Sequence, residues 1–345
     1  MKRIVTSLMM AVVVTGMLSG CGGKGGVTSD LVINGAGASF PAPVYRKWLY
    51  NYKQETGVTI NYQSVGSGAG IRQIKANTVN FGASDKPLKK EELDEAGLIQ
   101  FPMLMGGVVP VVNIPGFKAG EISLSGKVLG DIFLGTITNW NDAAIKAENI
   151  SLTLPDLPIT VVHRSDGSGT TWIFTNYLTK VSTDWAAGPG TGKAINWPVG
   201  IGGQKNPGVA NNVLKIKGAI GYVEYTYATE AKMSYTAMVN KNAKKVLPSQ
   251  VSFAAAGANA DWDNAPGFYM VLTNQAGDQT WPITGVTYIL VYKQQADTKL
   301  INGMLNYFEW CYTNGAQTAA EMDYIAIPAT VVAKVKTKWL NELQK

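Results

Sequence analysis

The chain has 345 residues, 46% of them hydrophobic and only 16% charged, with 38 glycines, a length and composition that fit a globular protein of two domains whose loops carry much of the function. Its net charge of +6 falls further once Lys2 and Arg3 are set aside with the N-terminal segment, and it lacks the clustered basic stripe of a nucleic-acid binder; Lys241-Asn242-Ala243-Lys244-Lys245 reads as a solvated turn. With His163 as the only histidine, neither a multi-histidine zinc site nor an H-E-x-x-H helix can be built, and no cofactor is expected.

In chain order, Lys2 and Arg3 precede an apolar stretch over residues 4–18, shorter than the roughly 20 residues that span a bilayer. Leu18-Ser19-Gly20-Cys21 then resembles a bacterial lipobox. This predicts a signal peptide over residues 1–20, lipidation of Cys21 and a flexible tether over residues 21–30. The mature chain is expected as a membrane-anchored lipoprotein outside the cytoplasm, in the periplasm or at the cell surface. No later segment is long and apolar enough to cross a membrane. With Cys21 assigned to lipid, Cys311 has no disulfide partner and reads as a buried small thiol.

Three small-residue loops lead into helices. Gly35-Ala36-Gly37-Ala38-Ser39-Phe40-Pro41-Ala42-Pro43 precedes an apolar stripe of Val44, Tyr45, Trp48, Leu49 and Tyr52, with Ser39 as the natural cap. Gly66-Ser67-Gly68-Ala69-Gly70 follows an alternating strand over residues 58–65 and precedes a helix carrying Ile71 and Ile74. Ser165-Asp166-Gly167-Ser168-Gly169-Thr170-Thr171 precedes Trp172, Ile173, Phe174, Tyr177 and Leu178. Residues 168–171 are therefore expected to form a first helical turn, whose free N–H groups bind an oxyanion, with Arg164 as the adjacent cation. The plain alternative for this last segment is a strand-to-helix turn with a serine cap. Its recurrence in three loops favours convergence on one small anion.

Strand-like segments over residues 108–114, 159–162, 219–225 and 286–292 alternate with the helices, so α/β layers around largely parallel sheets are expected. Residues 182–208 read as an ordered loop excursion, and Pro328 opens a closing helix with Val332, Val335, Trp339 and Leu343 on one face. Apolar segments near Gly106-Gly107-Val108-Val109 and Trp281-Pro282-Ile283-Thr284 are candidates for carrying the chain between two lobes.

Gly35 to Tyr45, Asn80-Phe81-Gly82-Ala83-Ser84-Asp85, His163 to Thr170 and Gly218-Ala219-Ile220-Gly221-Tyr222-Val223-Glu224-Tyr225 together resemble the extracytoplasmic phosphate-binding proteins of bacterial ABC-type phosphate importers. The resemblance runs from about Ile33 to the C-terminal helix. It implies a two-lobed, type II-like periplasmic-binding-protein fold with phosphate in the cleft, lobe I over residues 31–105 and 282–345 and lobe II over 106–281. It also implies a monomeric carrier that delivers phosphate to a membrane permease. By motif position, the phosphate contacts fall on the backbone around Ala38 and Phe40, the Ser39 hydroxyl, Ser67, Asp85, Arg164, Ser168, Gly169 and Thr170, with Asp166 holding Arg164. Two departures are visible: Ser39 stands where threonine is frequent, and His163 where a second arginine can occur.

The chemistry is self-consistent. An oxyanion in a closed cleft loses water, so backbone N–H groups, hydroxyls and helix N-termini must replace it. Asp85 would repel an anion unless the ligand donates a proton to it, which phosphate near neutral pH can do and sulfate cannot; the alternative for Asp85 is a helix cap before Pro87. Rival functions are a binding protein for another oxyanion such as sulfate and a phosphate-ester hydrolase. Against the hydrolase, neither Ser67 nor Ser168 lies in G-x-S-x-G, and Gly192-Lys193-Ala194 lacks the hydroxyl of a P-loop.

Overall fold

The computed structural model describes residues 31–258 and 260–343; the expected signal peptide, Cys21 and the tether lie outside them. The first unit alternates strand and helix: β1 (Val32–Gly37), α1 (Ala42–Thr56), β2 (Thr59–Ser64), α2 (Ser67–Lys75), β3 (Phe81–Ser84), α3 (Lys90–Glu95). A long strand, β4 (Leu98–Val112), leads to the second: β5 (Ser123–Leu124), α4 (Gly126–Leu134), α5 (Ala143–Glu148), β6 (Thr160–Arg164), α6 (Gly169–Val181), α7 (Thr183–Ala187), β7 (Ile201–Gly203), α8 (Lys205–Lys215), β8 (Ala219–Glu224), α9 (Tyr225–Glu230). Then come β9 (Ser234–Tyr235), β10 (Ala237–Val239), β11 (Lys245–Val246) and α10 (Gln250–Ala258), before β12 (Thr284–Tyr292), α11 (Thr298–Thr313), α12 (Gly315–Glu321), β13 (Ile325–Ala326) and α13 (Ala329–Glu342).

The main sheet runs β2-β1-β3-β12-β4-β8-β6-β7. Its outer parts are parallel, β1 with β2 and β3, and β6 with β7 and β8, because a helix returns the chain after each strand. The centre is antiparallel: β12 runs against β3 and β4, and β4 against β8. This corrects the expectation of largely parallel sheets. β4 pairs with β12 as far as Gly107 and with β8 from Val108 onward, so one fully buried strand belongs to both halves of the fold. A side chain at Gly107 would overlap the Phe253 ring of α10, so only glycine fits this changeover.

Other expectations are refined. The excursion over residues 182–208 contains α7, β7 and the start of α8. The segment around Gly267, inside the range assigned to lobe II, lies on first-lobe elements: the Gln100 amide donates to the Gly267 carbonyl at 2.8 Å, and the Met270 N–H to the Tyr288 hydroxyl at 3.2 Å. Ser39 does not cap α1. The helix starts from Pro41 with another proline in its first turn, where missing N–H groups leave less to cap. Cys311 is buried and free, and Val335, Trp339 and Leu343 of the closing segment are buried.

Helices α1, α2 and α6 each follow the C-terminal end of a strand. Their N-termini therefore gather in the crevice where open α/β sheets bind ligands.

Candidate functional site

The loop after β1 is held from behind by three tyrosine hydroxyls: Tyr62 donates to the Ala38 carbonyl at 2.7 Å, Tyr227 to that of Ser39 at 2.6 Å and Tyr324 to that of Phe40 at 2.8 Å. The Ala38 N–H continues the strand pairing by donating to Ala83 O at 3.0 Å. Among the described residues the N–H groups of Ser39 and Phe40 take no partner, so they are the loop's free donors. Ala38 shapes the loop and spends its own donor on the fold.

Opposite this loop, Ser67 opens α2 and meets Asp85 at the end of β3. The Asp85 N–H donates to Ser67 Oγ at 3.1 Å, and that hydroxyl lies 3.3 Å from Asp85 Oδ2. Thr287 of β12 donates to Asp85 Oδ1 at 2.8 Å. Asp85 is 1% exposed, and it caps no helix, since α3 starts later from Lys89. Burial pushes its carboxyl up to about 7, against the pull of Thr287, Arg164 and Ser67. It is therefore poised to hold or release a proton near neutral pH.

The third component is the turn after β6. Ser168 caps α6 by accepting from the Thr171 N–H at 2.9 Å, which leaves its own hydroxyl proton for another acceptor. Gly169 is pressed against the first lobe: a Cβ there would lie 2.6 Å from Asp85 Oδ2 and overlap Ser67 Oγ. The Gly68 N–H donates to Gly167 O at 2.8 Å across the same junction. Arg164 forms a fork with Asp166, Nε to Oδ1 at 2.8 Å and Nη2 to Oδ2 at 2.6 Å, and the Lys205 N–H also donates to Asp166 at 2.8 Å. Burial would raise the Asp166 carboxyl, but the Arg164 bonds prevail and hold it below its usual range. Arg164 Nη1 is buried without a partner, on a side chain near enough to Asp85 to stabilise its charge.

The structure thus brings Ser39, Phe40, Ser67, Asp85, Arg164, Ser168, Gly169 and Thr170 together. Sequence reasoning missed the residues that set them. Asn206 of α8 contacts both Ser39 and Thr170. Tyr222 bonds the Arg164 N–H at 3.2 Å and lies 2.7 Å from the Thr171 hydroxyl. Glu224 accepts from Tyr324 at 2.8 Å and from Thr226, and burial pushes its carboxyl well above its usual range. Thr287 had one available signal, a threonine set between apolar and aromatic residues inside a strand.

His163 lies in β6 with its ring stacked 4.8 Å from Trp197 and Nδ1 3.1 Å from the Arg164 carbonyl. Burial lowers its pKa, and no bond to Ser67 or Ser168 is formed among the described residues. Nor do the described residues hold a group of three or more His, Cys, Asp or Glu side chains placed for a metal. No helix of the described residues is long and apolar enough to cross a membrane.

The PBP superfamily domain matches residues 23–334. A phosphate-binding protein PstS of Xylella fastidiosa is 51% identical over 317 residues, covering 92% of this chain and 87% of its own. PstS of Pasteurella multocida is 49% identical, with 92% of each chain covered. Among solved structures, the phosphate-binding protein from Stenotrophomonas maltophilia shares the fold, with a TM-score of 0.68 at 20% identity and 89% of this chain and 94% of that one covered.

Proposed function

The chain belongs to the periplasmic-binding-protein superfamily and, within it, to the PstS phosphate-binding proteins, and from that premise we propose that it captures inorganic phosphate outside the cytoplasmic membrane and delivers it to an ABC-type phosphate permease. The observation that carries this reading is the buried, unpartnered Arg164 Nη1 beside an acceptor carboxylate, Asp85, in a crevice of free donors. A cation and an acceptor together suit an anion that still bears a proton. We assign the contacts to the N–H groups of Ser39 and Phe40, the hydroxyls of Ser39, Ser67, Ser168 and Thr170, the N–H groups of Gly169 and Thr170, Arg164 and Asp85. Ala38 shapes the first loop, and Asp166 orients the guanidinium. Calorimetric titration of the soluble domain should show phosphate and arsenate binding far more tightly than sulfate; equal affinities would make it a general oxyanion carrier.

We take the lobes as residues 31–105 with 282–345 and residues 106–281, with the segment around Gly267 packed on the first lobe; the change of partner along β4 at Gly107 and Val108 supports a boundary there. Closure of these lobes forms the site, so Gly169→Ala should weaken phosphate binding about tenfold or more, because the added methyl must displace Asp85 or Ser67. An unchanged dissociation constant would show that the cleft does not close this tightly in solution.

The protein is a carrier and not a hydrolase on this reading, since its only histidine is committed to Trp197 and the Arg164 carbonyl. Turnover of a chromogenic phosphate monoester by purified protein would overturn it. The lipobox-like Leu18-Ser19-Gly20-Cys21 supports a Cys21-linked anchor. Cys21→Ser should release the protein from the membrane fraction while leaving phosphate binding intact, and a variant still anchored and lipidated would remove the lipoprotein assignment.

A further inference from the structure

Asn206 is fully buried in the first turn of α8, and its amide joins three separate parts of the fold. Nδ2 lies 3.0 Å from Ser39 Oγ and 3.2 Å from Thr170 Oγ1, while Oδ1 accepts the Glu224 N–H at 3.0 Å. A backbone N–H can only donate, so the amide atom facing it is the carbonyl oxygen, and the NH₂ group must face the two hydroxyls. Each hydroxyl oxygen then accepts from Asn206 and keeps its own proton for a different acceptor. Ser39 Oγ also receives the Asn206 N–H at 3.4 Å, which fills its acceptor side further.

We propose that Asn206 is a positioning residue that fixes the Ser39 and Thr170 hydroxyls as donors to the bound anion and ties the β1–α1 loop to the N-terminus of α6. This rests on the phosphate-binding reading above. The surrounding loop leaves little else free: the Ser39 and Phe40 carbonyls are already held by Tyr227 and Tyr324. Hydroxyl polarity is what remains to be set, and Asn206 sets it at Ser39 and Thr170 so that both can donate to a ligand oxygen.

The test is a mutant cycle read by calorimetric titration with inorganic phosphate. Asn206→Ala in the wild-type background should weaken binding about tenfold. In a Ser39→Ala, Thr170→Ala background the same change should cost less than about twofold, because the groups it acts through are gone. A purely structural Asn206 would cost the same factor in both backgrounds, and that result overturns the proposal. Asn206→Ser, which keeps a small polar group near the Glu224 N–H, repeats the cycle if the alanine variant does not fold. Asn206→Asp gives a second reading: at alkaline pH its carboxylate accepts from both hydroxyls and adds charge, so affinity should fall about a hundredfold and recover as the pH is lowered. A variant with no pH-dependent recovery also counts against the assignment. Wild-type protein that binds no phosphate would sink the functional reading; wild-type binding with an additive cycle sinks only the role of Asn206.

Discussion

Arg164→Ala should weaken phosphate binding by about 2–5 kcal/mol, a loss of roughly thirtyfold to several thousandfold in affinity. The residue is 3% exposed and forms a two-bond fork with Asp166, so truncation removes a charge-assisted donor and leaves a partly buried carboxylate supported only by backbone N–H groups, those of Lys205 and of Asp166 itself. That uncompensated carboxylate then lies beside the incoming anion, and repulsion adds to the lost contact. Arg164→Lys should recover only part of the loss, because an ammonium cannot keep the fork to Asp166 and also present the planar Nη1 donor. Titration at fixed pH and salt, with folding checked by thermal unfolding, decides it. A folded alanine variant with the wild-type dissociation constant would place Arg164 outside the site.

The three loops that meet in the crevice were legible in the sequence because each is a local event. Glycine and hydroxyl residues at a strand end, followed by apolar residues at helical spacing, describe a strand, a turn and a free helix N-terminus within about a dozen positions. The residues that set those loops were not legible, because their pairs are made by topology. Asn206 meets Ser39 from 167 residues away, and Thr287 meets Asp85 across 202. Strand direction failed for the same reason: nothing local in residues 98–112 or 284–292 says that these strands run antiparallel to their neighbours, and only their role as connections between lobes requires it. Ser39 misled as a cap because serine before a helix has two uses. The proline-led start of α1 needs little capping, and the hydroxyl is left for Asn206.

Replacing Asp85 by asparagine should collapse discrimination between phosphate and sulfate while leaving phosphate affinity within about tenfold. In the wild type Thr287 occupies Oδ1 at 2.8 Å, while Oδ2 takes only the longer 3.3 Å contact from Ser67 and lies toward Gly169 at the start of α6, so Oδ2 keeps a lone pair to accept a proton from the ligand. Phosphate supplies that proton; sulfate presents a bare oxygen to a carboxylate, an unmatched charged pair whose removal should shift the affinity ratio by about a hundredfold, or ~2.7 kcal/mol. The asparagine amide offers a donor in the same shape, so sulfate loses its penalty. The pH dependence has a definite sign. With the Asp85 carboxyl near 7, lowering the pH through neutrality protonates it and lets it donate, so wild-type discrimination against sulfate should narrow in acid and the variant's should stay flat. The same shift acts on the ligand-free fold. A carboxyl raised from 3.8 to about 7 contributes stability below its ordinary value and loses it as the pH rises through neutrality. The Tm of the ligand-free wild type should therefore fall more steeply than that of the asparagine variant between about pH 5 and pH 8. Measuring both dissociation constants and both Tm values across that range tests the assignment twice. An affinity ratio that stays put in the variant would mean that sulfate is rejected elsewhere in the cleft, and parallel Tm curves would mean that Asp85 is ionised throughout.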